Sequence, residues 1–135
     1  MIEIAAGLPI KKGKFLLGWR SAHRKAFPSC WDLIGGHVEA NETAEQALVR
    51  EFQEEVGITP TTFEFVTKFE TPDGAGDRIL SLSVYRITAW AGGEPKIRND
   101  EHERLGWFTG SEAANLPDFA VGEYKRLFAS LDRHP

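Results

Sequence analysis

The sequence predicts an α/β fold in which a mixed β-sheet is covered by a few helices. Three observations lead there. Segments rich in β-branched and aromatic residues recur along the chain, bounded by turns containing Gly and Pro. One long amphipathic pattern of helical period stands between them, with a start signal and a stop signal. A second helical pattern closes the chain. Internal repeats, low-complexity tracts and linker-like stretches are absent, so the 135 residues are expected to form a single domain over 1–135.

Taken in order, Ile2 to Leu8 and Phe15 to Arg20 read as strands around a turn at Lys11-Lys12-Gly13. Ala22 to Cys30 reads as loop, with Pro28 against regular structure. Trp31 to Ile34 is a short apolar run that ends at Gly35-Gly36, read as a break that permits unusual backbone angles and close approach. Asn41 to Val56 is the clearest helix. Thr43 and Gln46 match a capping box, Gly57 is placed as a C-terminal stop, and Ala44, Leu48, Phe52 and Val56 form one apolar stripe. Thr61 to Thr71 and Arg78 to Trp90 read as strands joined by the loop 72–77, and Gly92-Gly93-Glu94-Pro95 as a turn. Arg104 to Thr109 is a last strand. Ser111 to Leu116 and Gly122 to Leu131 read as helices, the latter with Tyr124, Leu127, Phe128 and Leu131 on one face.

Composition narrows the classes of function. The hydrophobic share is 41% and the charged share 27%, ordinary for a globular protein and enough for one core. A net charge of -4 leaves no domain-wide basic field, so a nucleic-acid polymer is not an expected partner. The lone Cys30 cannot form an internal disulfide, and neither a signal peptide nor a membrane-spanning run is legible. The expectation is a cytoplasmic protein, monomeric or homodimeric, away from membranes.

Chemistry concentrates between Gly36 and Ile58. At about 100° per residue, Glu51, Glu54 and Glu55 share an arc of roughly 100° on the helix, beside the apolar stripe. Like charges at that spacing repel, and two of them sit in the last turn, where the helix dipole disfavours negative charge. A hard divalent cation resolves the conflict, because Mg²⁺ or Mn²⁺ binds through a few carboxylates together with substrate phosphates. The other reading of an isolated Glu-x-x-Glu-Glu is a solvated acidic face.

The whole stretch resembles the Nudix signature, G-x5-E-x7-R-E-U-x-E-E-x-G-U with U apolar. Gly36, Glu42, Arg50, Glu51, Phe52, Glu54, Glu55, Gly57 and Ile58 agree at all nine constrained positions over 23 residues. The resemblance implies an α/β/α sandwich around a central mixed β-sheet, and a pyrophosphohydrolase that requires Mg²⁺ or Mn²⁺. It implies Glu51, Glu54 and Glu55 as the metal-binding and catalytic cluster. Arg50 would orient them by salt bridge with Glu42 in support, and Gly35 would offer its carbonyl to a metal.

The same stretch resembles the MutT-like branch, which implies a small-molecule nucleotide substrate. Foremost is a (deoxy)nucleoside triphosphate, such as the oxidised 8-oxo-dGTP, cut to monophosphate and pyrophosphate. Alternatives are a nucleotide-sugar or ADP-ribose-type pyrophosphatase, and a catalytically silent module that binds a nucleotide as a sensor. Trp31-Asp32-Leu33-Ile34-Gly35-Gly36 resembles the branch's W-x-x-P-G-G entry, with Ile34 in place of Pro. Asn41 stands where Gly is common, in a turn that tolerates left-handed angles. Glu101-His102-Glu103-Arg104-Leu105-Gly106-Trp107 resembles the family's late loop, which implies that Glu101, six residues before Trp107, reaches the metals or attacking water, with Glu103 as the fallback. His102 reads as a surface or structural residue. Arg20, Arg24 and Lys25 are candidate phosphate contacts, and Phe119 a candidate stacking partner for the base, with Asp118 beside it. Trp19, Trp31 and Trp107 read as core.

Overall fold

The computed structural model describes residues 1–24, 27–73 and 77–133. Lys25 and the tip of the loop after Pro72 (74–76) lie outside the described residues. Seven strands, β1 (Ile2–Lys11), β2 (Lys14–Arg20), β3 (Trp31–Asp32), β4 (Ile34–His37), β5 (Thr59–Pro72), β6 (Ile79–Ala91) and β7 (His102–Phe108), form one sheet. Three helices, α1 (Ala44–Val56), α2 (Gly110–Ala114) and α3 (Glu123–Arg133), complete the chain. The sheet runs β3-β2-β1-β6-β5, with β4 also paired to β1 and β7 to β2. β1 and β6 are parallel while the other pairs are antiparallel, so the sheet is mixed as expected.

Strand alternation creates two cores, one on each face. Ala6, Leu8, Phe15 and Leu17 point to the side where Tyr124, Leu127, Phe128 and Leu131 of α3 pack. Ala5 and Leu16 point to the other side, against Ala47, Leu48, Phe52 and Val56 of α1. This is the expected α/β/α layering. Trp31 packs against the α3 core and Trp107 against the α1 core, whereas Trp19 stands edge-on to Trp31.

The local signals act as their chemistry dictates. Lys12 (φ 53°) and Gly13 (φ 77°) make a two-residue hairpin turn between Lys11 and Lys14. Thr43 caps α1 by accepting from the Gln46 amide at 3.1 Å while Gln46 Oε1 accepts from the Thr43 amide at 2.9 Å, and Gly57 closes the helix at φ 70°. The helix therefore starts at Ala44 and not at Asn41, because the cap residue itself is extended (φ -80°, ψ 164°). Asn41 does not adopt a left-handed angle.

The diglycine is also different from its sequence reading. Gly35 and Gly36 lie inside β4 with no positive φ. What their missing side chains supply is space. A Cβ on Gly35 would stand 2.1 Å from the Ala5 carbonyl oxygen, and one on Gly36 would stand 2.4 Å from the Glu51 carboxyl carbon.

At one end of the sheet, among the described residues, β5 pairs with β6 alone, and its register shifts at Pro60/Thr62, Thr62/Phe63 and Phe65/Thr67. Among the described residues no helix is long and apolar enough to cross a membrane.

Candidate active site

α1 carries its carboxylates along the edge facing β4, and Arg50 organises them. Its Nε and NH2 donate to the two oxygens of Glu42, both at 2.9 Å, a bidentate fork. NH1 donates to Glu51 at 3.0 Å and to Glu54 at 3.2 Å, and NH2 also donates to the His37 carbonyl at 2.9 Å. One guanidinium thus ties the helix to β4 and to the loop before it, and sets the spacing of two carboxylates. The Arg50 fork and the Glu39 amide hold the Glu42 carboxyl down at about 2.

Glu55 is the exception on this helix. It is 2% exposed, and among the described residues neither of its oxygens has a hydrogen-bond partner. Burial, reinforced by the neighbouring carboxylates of Glu101 and Glu51, raises its pKa well above the ordinary range. Beside it lies His102, 4% exposed, with Nδ1 3.5 Å from Glu55 Oε1 and with Nε2 lacking a partner among the described residues. Burial lowers His102 to about 4, so the imidazole is neutral near pH 7. Ligating atoms of Glu55, Glu101 and His102 all lie within 4.8 Å of one another. The expectation that His102 is structural fits its burial, while the surface alternative does not.

Gly35, Gly36, Arg50, Glu51, Glu54 and Glu101 form the charged wall of a cleft of about 850 Å³, within the range of small-molecule sites. Ile4, Leu33, Leu82, Val121, Phe27 and Tyr124 form its apolar wall. Arg24 lies on the rim and pairs with Glu101 at 3.0 Å. Glu103 is turned away, accepting from the Ala22 amide at 2.9 Å, so of the two late acids Glu101 is the one in the cleft.

Two substrate candidates land differently from the sequence reading. Phe119 does not line the cleft. Its ring stacks on Phe128 (centroids 5.8 Å apart, planes at 19°) and meets Tyr124 edge-on, because the chain before α3 packs into the core under that helix. Phe27 and Tyr124 face the cleft instead; Phe27 falls in a stretch read as loop and Tyr124 reads as one of the apolar face of α3, so neither is marked as a cleft residue by its pattern. Arg20 does line the cleft but is 9% exposed and committed to its floor, donating to Asp32 at 3.2 Å and to the Phe27 carbonyl at 3.0 Å. Asp32 also accepts from Tyr124 Oη at 2.7 Å and from the Leu33 amide at 2.8 Å. Burial raises the Asp32 pKa despite Arg20. Losing Arg20 would leave that carboxylate buried and uncompensated, so Arg20→Ala is expected to cost about 3 kcal/mol of stability in urea unfolding. A loss below about 1 kcal/mol, the scale of an exposed pair, would show that the pairing with Asp32 is not structural.

The donor set of the charged wall fits a hard divalent cation. Glu51, Glu54 and Glu101 on that wall supply carboxylate oxygen, and behind it the Glu55 oxygens have no hydrogen-bond partner among the described residues, an unmet demand for positive charge.

Residues 1–131 match the family model of the Nudix domain. The chain belongs to the Nudix family and is a Nudix hydrolase, a pyrophosphohydrolase by class. It is 34% identical over 117 residues to the CTP pyrophosphohydrolase of Escherichia coli (strain K12), across 87% of this chain and 82% of that protein. It is 36% identical over 131 residues to the 8-oxo-dGTP diphosphatase of the same strain, across 93% and 98%. Among solved structures, the MutT NUDIX hydrolase from Burkholderia pseudomallei superposes with a TM-score of 0.80 at 28% identity, over 95% of each chain.

Proposed function

We propose that this chain hydrolyses (deoxy)nucleoside triphosphates to monophosphate and pyrophosphate with Mg²⁺ or Mn²⁺, oxidised dNTPs such as 8-oxo-dGTP being the foremost substrates. The observation that carries the reading is Glu55, a buried carboxylate with no hydrogen-bond partner among the described residues, set behind a nucleotide-sized cleft that Glu51, Glu54 and Glu101 line. Similarity to proteins named for CTP and 8-oxo-dGTP supports the triphosphate class.

Glu51, Glu54 and Glu55, with the Gly35 carbonyl, would hold the cation. When bound, it neutralises charge on the phosphate oxygens and makes water a better nucleophile. The remaining work falls to side chains. Arg50 keeps Glu51 and Glu54 at a fixed separation through its bonds at 3.0 and 3.2 Å. Glu51 and Glu101 are the carboxylates available to take the proton as water attacks phosphorus and the bridging P–O bond breaks. Arg24 exchanges Glu101 for a phosphate oxygen, and Arg20 presents positive charge from the floor. The base lies against the apolar wall, where Phe27 and Tyr124 offer ring faces.

Turnover of a panel of canonical and oxidised dNTPs, CTP, ADP-ribose and nucleotide sugars, with products separated by ion exchange, tests the reading. Triphosphates should lead, give pyrophosphate rather than orthophosphate, and stop reacting when EDTA removes the metal. Preference for ADP-ribose or a nucleotide sugar would overturn the substrate class. Nucleotide binding without turnover would make the chain a sensor.

A further inference from the structure

We propose that His102 is the positioning residue of Glu55: its Nδ1–H donates to Glu55 Oε1 and leaves the second carboxylate oxygen directed at the divalent cation. The inference rests on the metal-dependent reading above and adds a residue that the signature does not contain.

Three separate features of the fold bring this ring to that carboxylate. The first is a β-bulge. Trp19 pairs with Arg104 and Arg20 with His102, so β7 carries Glu103 as an extra residue. Arg104 lies over the Trp19 and Trp31 rings, on the α3 face of the sheet. In an unbulged strand His102, two residues away, would share that face. The bulge turns it to the α1 face, where Glu55 is. The second is Gly18, directly under the ring. A Cβ there would stand 2.4 Å from His102 Cδ2 and 2.8 Å from Nε2, so only glycine admits the imidazole at this depth. The third is enclosure, which leaves Glu55 Oε1 3.5 Å from Nδ1 and gives Nε2 no partner.

A neutral imidazole has one proton for two nitrogens. On Nε2 it would be a buried donor without an acceptor, and Nδ1 would turn a lone pair toward the carboxylate. On Nδ1 it meets an acceptor for which no other donor is found among the described residues. At 3.5 Å a small turn of the ring or the carboxylate brings donor and acceptor into bonding range, and Glu55 would then be a cation ligand whose orientation an outer partner fixes.

The test is Mn²⁺ binding to the metal-free chain, read from the EPR signal of free Mn²⁺, for wild type, His102→Leu, His102→Asn and Glu55→Gln. His102→Leu should weaken binding about 10- to 100-fold, the usual loss of an outer partner. His102→Asn, whose amide nitrogen stands near the place of Nδ1, should recover most of it. If both His102 variants bind like wild type while Glu55→Gln does not, the positioning role is overturned and the metal reading survives. If both lose binding equally, His102 acts by packing and the donor role is overturned. If Glu55→Gln binds like wild type, the metal reading itself fails and the proposal with it. Should His102→Leu not fold, long-range ¹H–¹⁵N spectra of the Mg²⁺-loaded wild type decide. The Nδ1–H tautomer is expected, and the Nε2–H tautomer refutes the proposal.

Discussion

Glu54→Gln is expected to lower kcat by about 10²- to 10³-fold, the scale of losing one preorganised charged group at a reacting phosphate, while the melting temperature stays near that of wild type. Both halves follow from where the side chain stands. Glu54 is 55% exposed and lines the cleft, and the one contact described for it is Arg50 NH1 at 3.2 Å. Its loss leaves the Glu42 fork, the Glu51 bond and the His37 carbonyl bond of Arg50 in place. Removing one of several crowded carboxylates also relieves repulsion at the end of α1. Steady-state kinetics and calorimetry on the same preparation check it. Turnover at the wild-type level would remove Glu54 from the cation site, and a large drop in melting temperature would mean the side chain holds the fold.

Glu55→Gln, by contrast, should raise stability in the absence of metal. A carboxyl whose pKa is higher folded than unfolded contributes stability that is complete at low pH and is lost as pH rises through the folded value. Glu55 is such a group, raised by burial and by Glu101 and Glu51. In EDTA at pH 8, wild type therefore bears a charge-burial penalty that Gln does not, on the order of 1–3 kcal/mol beyond the desolvation that the two side chains share. That corresponds to an increase of several degrees in the variant's melting temperature for a domain of this size. At pH 5 the difference should shrink. Saturating Mg²⁺ should stabilise wild type and leave the variant almost unmoved, since binding to the folded state alone raises stability. A variant less stable than wild type in EDTA at pH 8 would refute this account of Glu55, and an equal response to Mg²⁺ would show that the cation does not reach it.

The parts of the molecule that could be read from the sequence are those whose determinants are local. Thr43, Gln46 and Gly57 mark α1 by hydrogen bonds made within a few residues, and its stripe of Leu48, Phe52 and Val56 needs only helical period. The box from Gly36 to Ile58 is contiguous for the same reason. What escaped the reading depends on distant partners. Gly35 and Gly36 look like a turn until β1 and Glu51 are seen filling the space a side chain would need. The depth of His102 depends on a bulge in β7 and on Gly18, 84 positions earlier. Arg20 looks like a free cation because Asp32 and Tyr124 are contributed by other elements, and Phe119 looks available because Phe128 claims it only after α3 has folded back.

The broken register of β5 bears on how the protein behaves in a crowd. An outermost strand of 14 residues presents a long row of unpaired backbone groups, the usual template for adding a strand from another molecule and for growth into fibres. Here Pro60 and Pro72 remove donors, Lys68 supplies charge, and three shifts between Pro60 and Thr67 interrupt the even spacing that an incoming strand must match. The strand that carries Phe65 56% exposed is thus a poor seed for aggregation, and apolar surface there does not become stickiness along the edge.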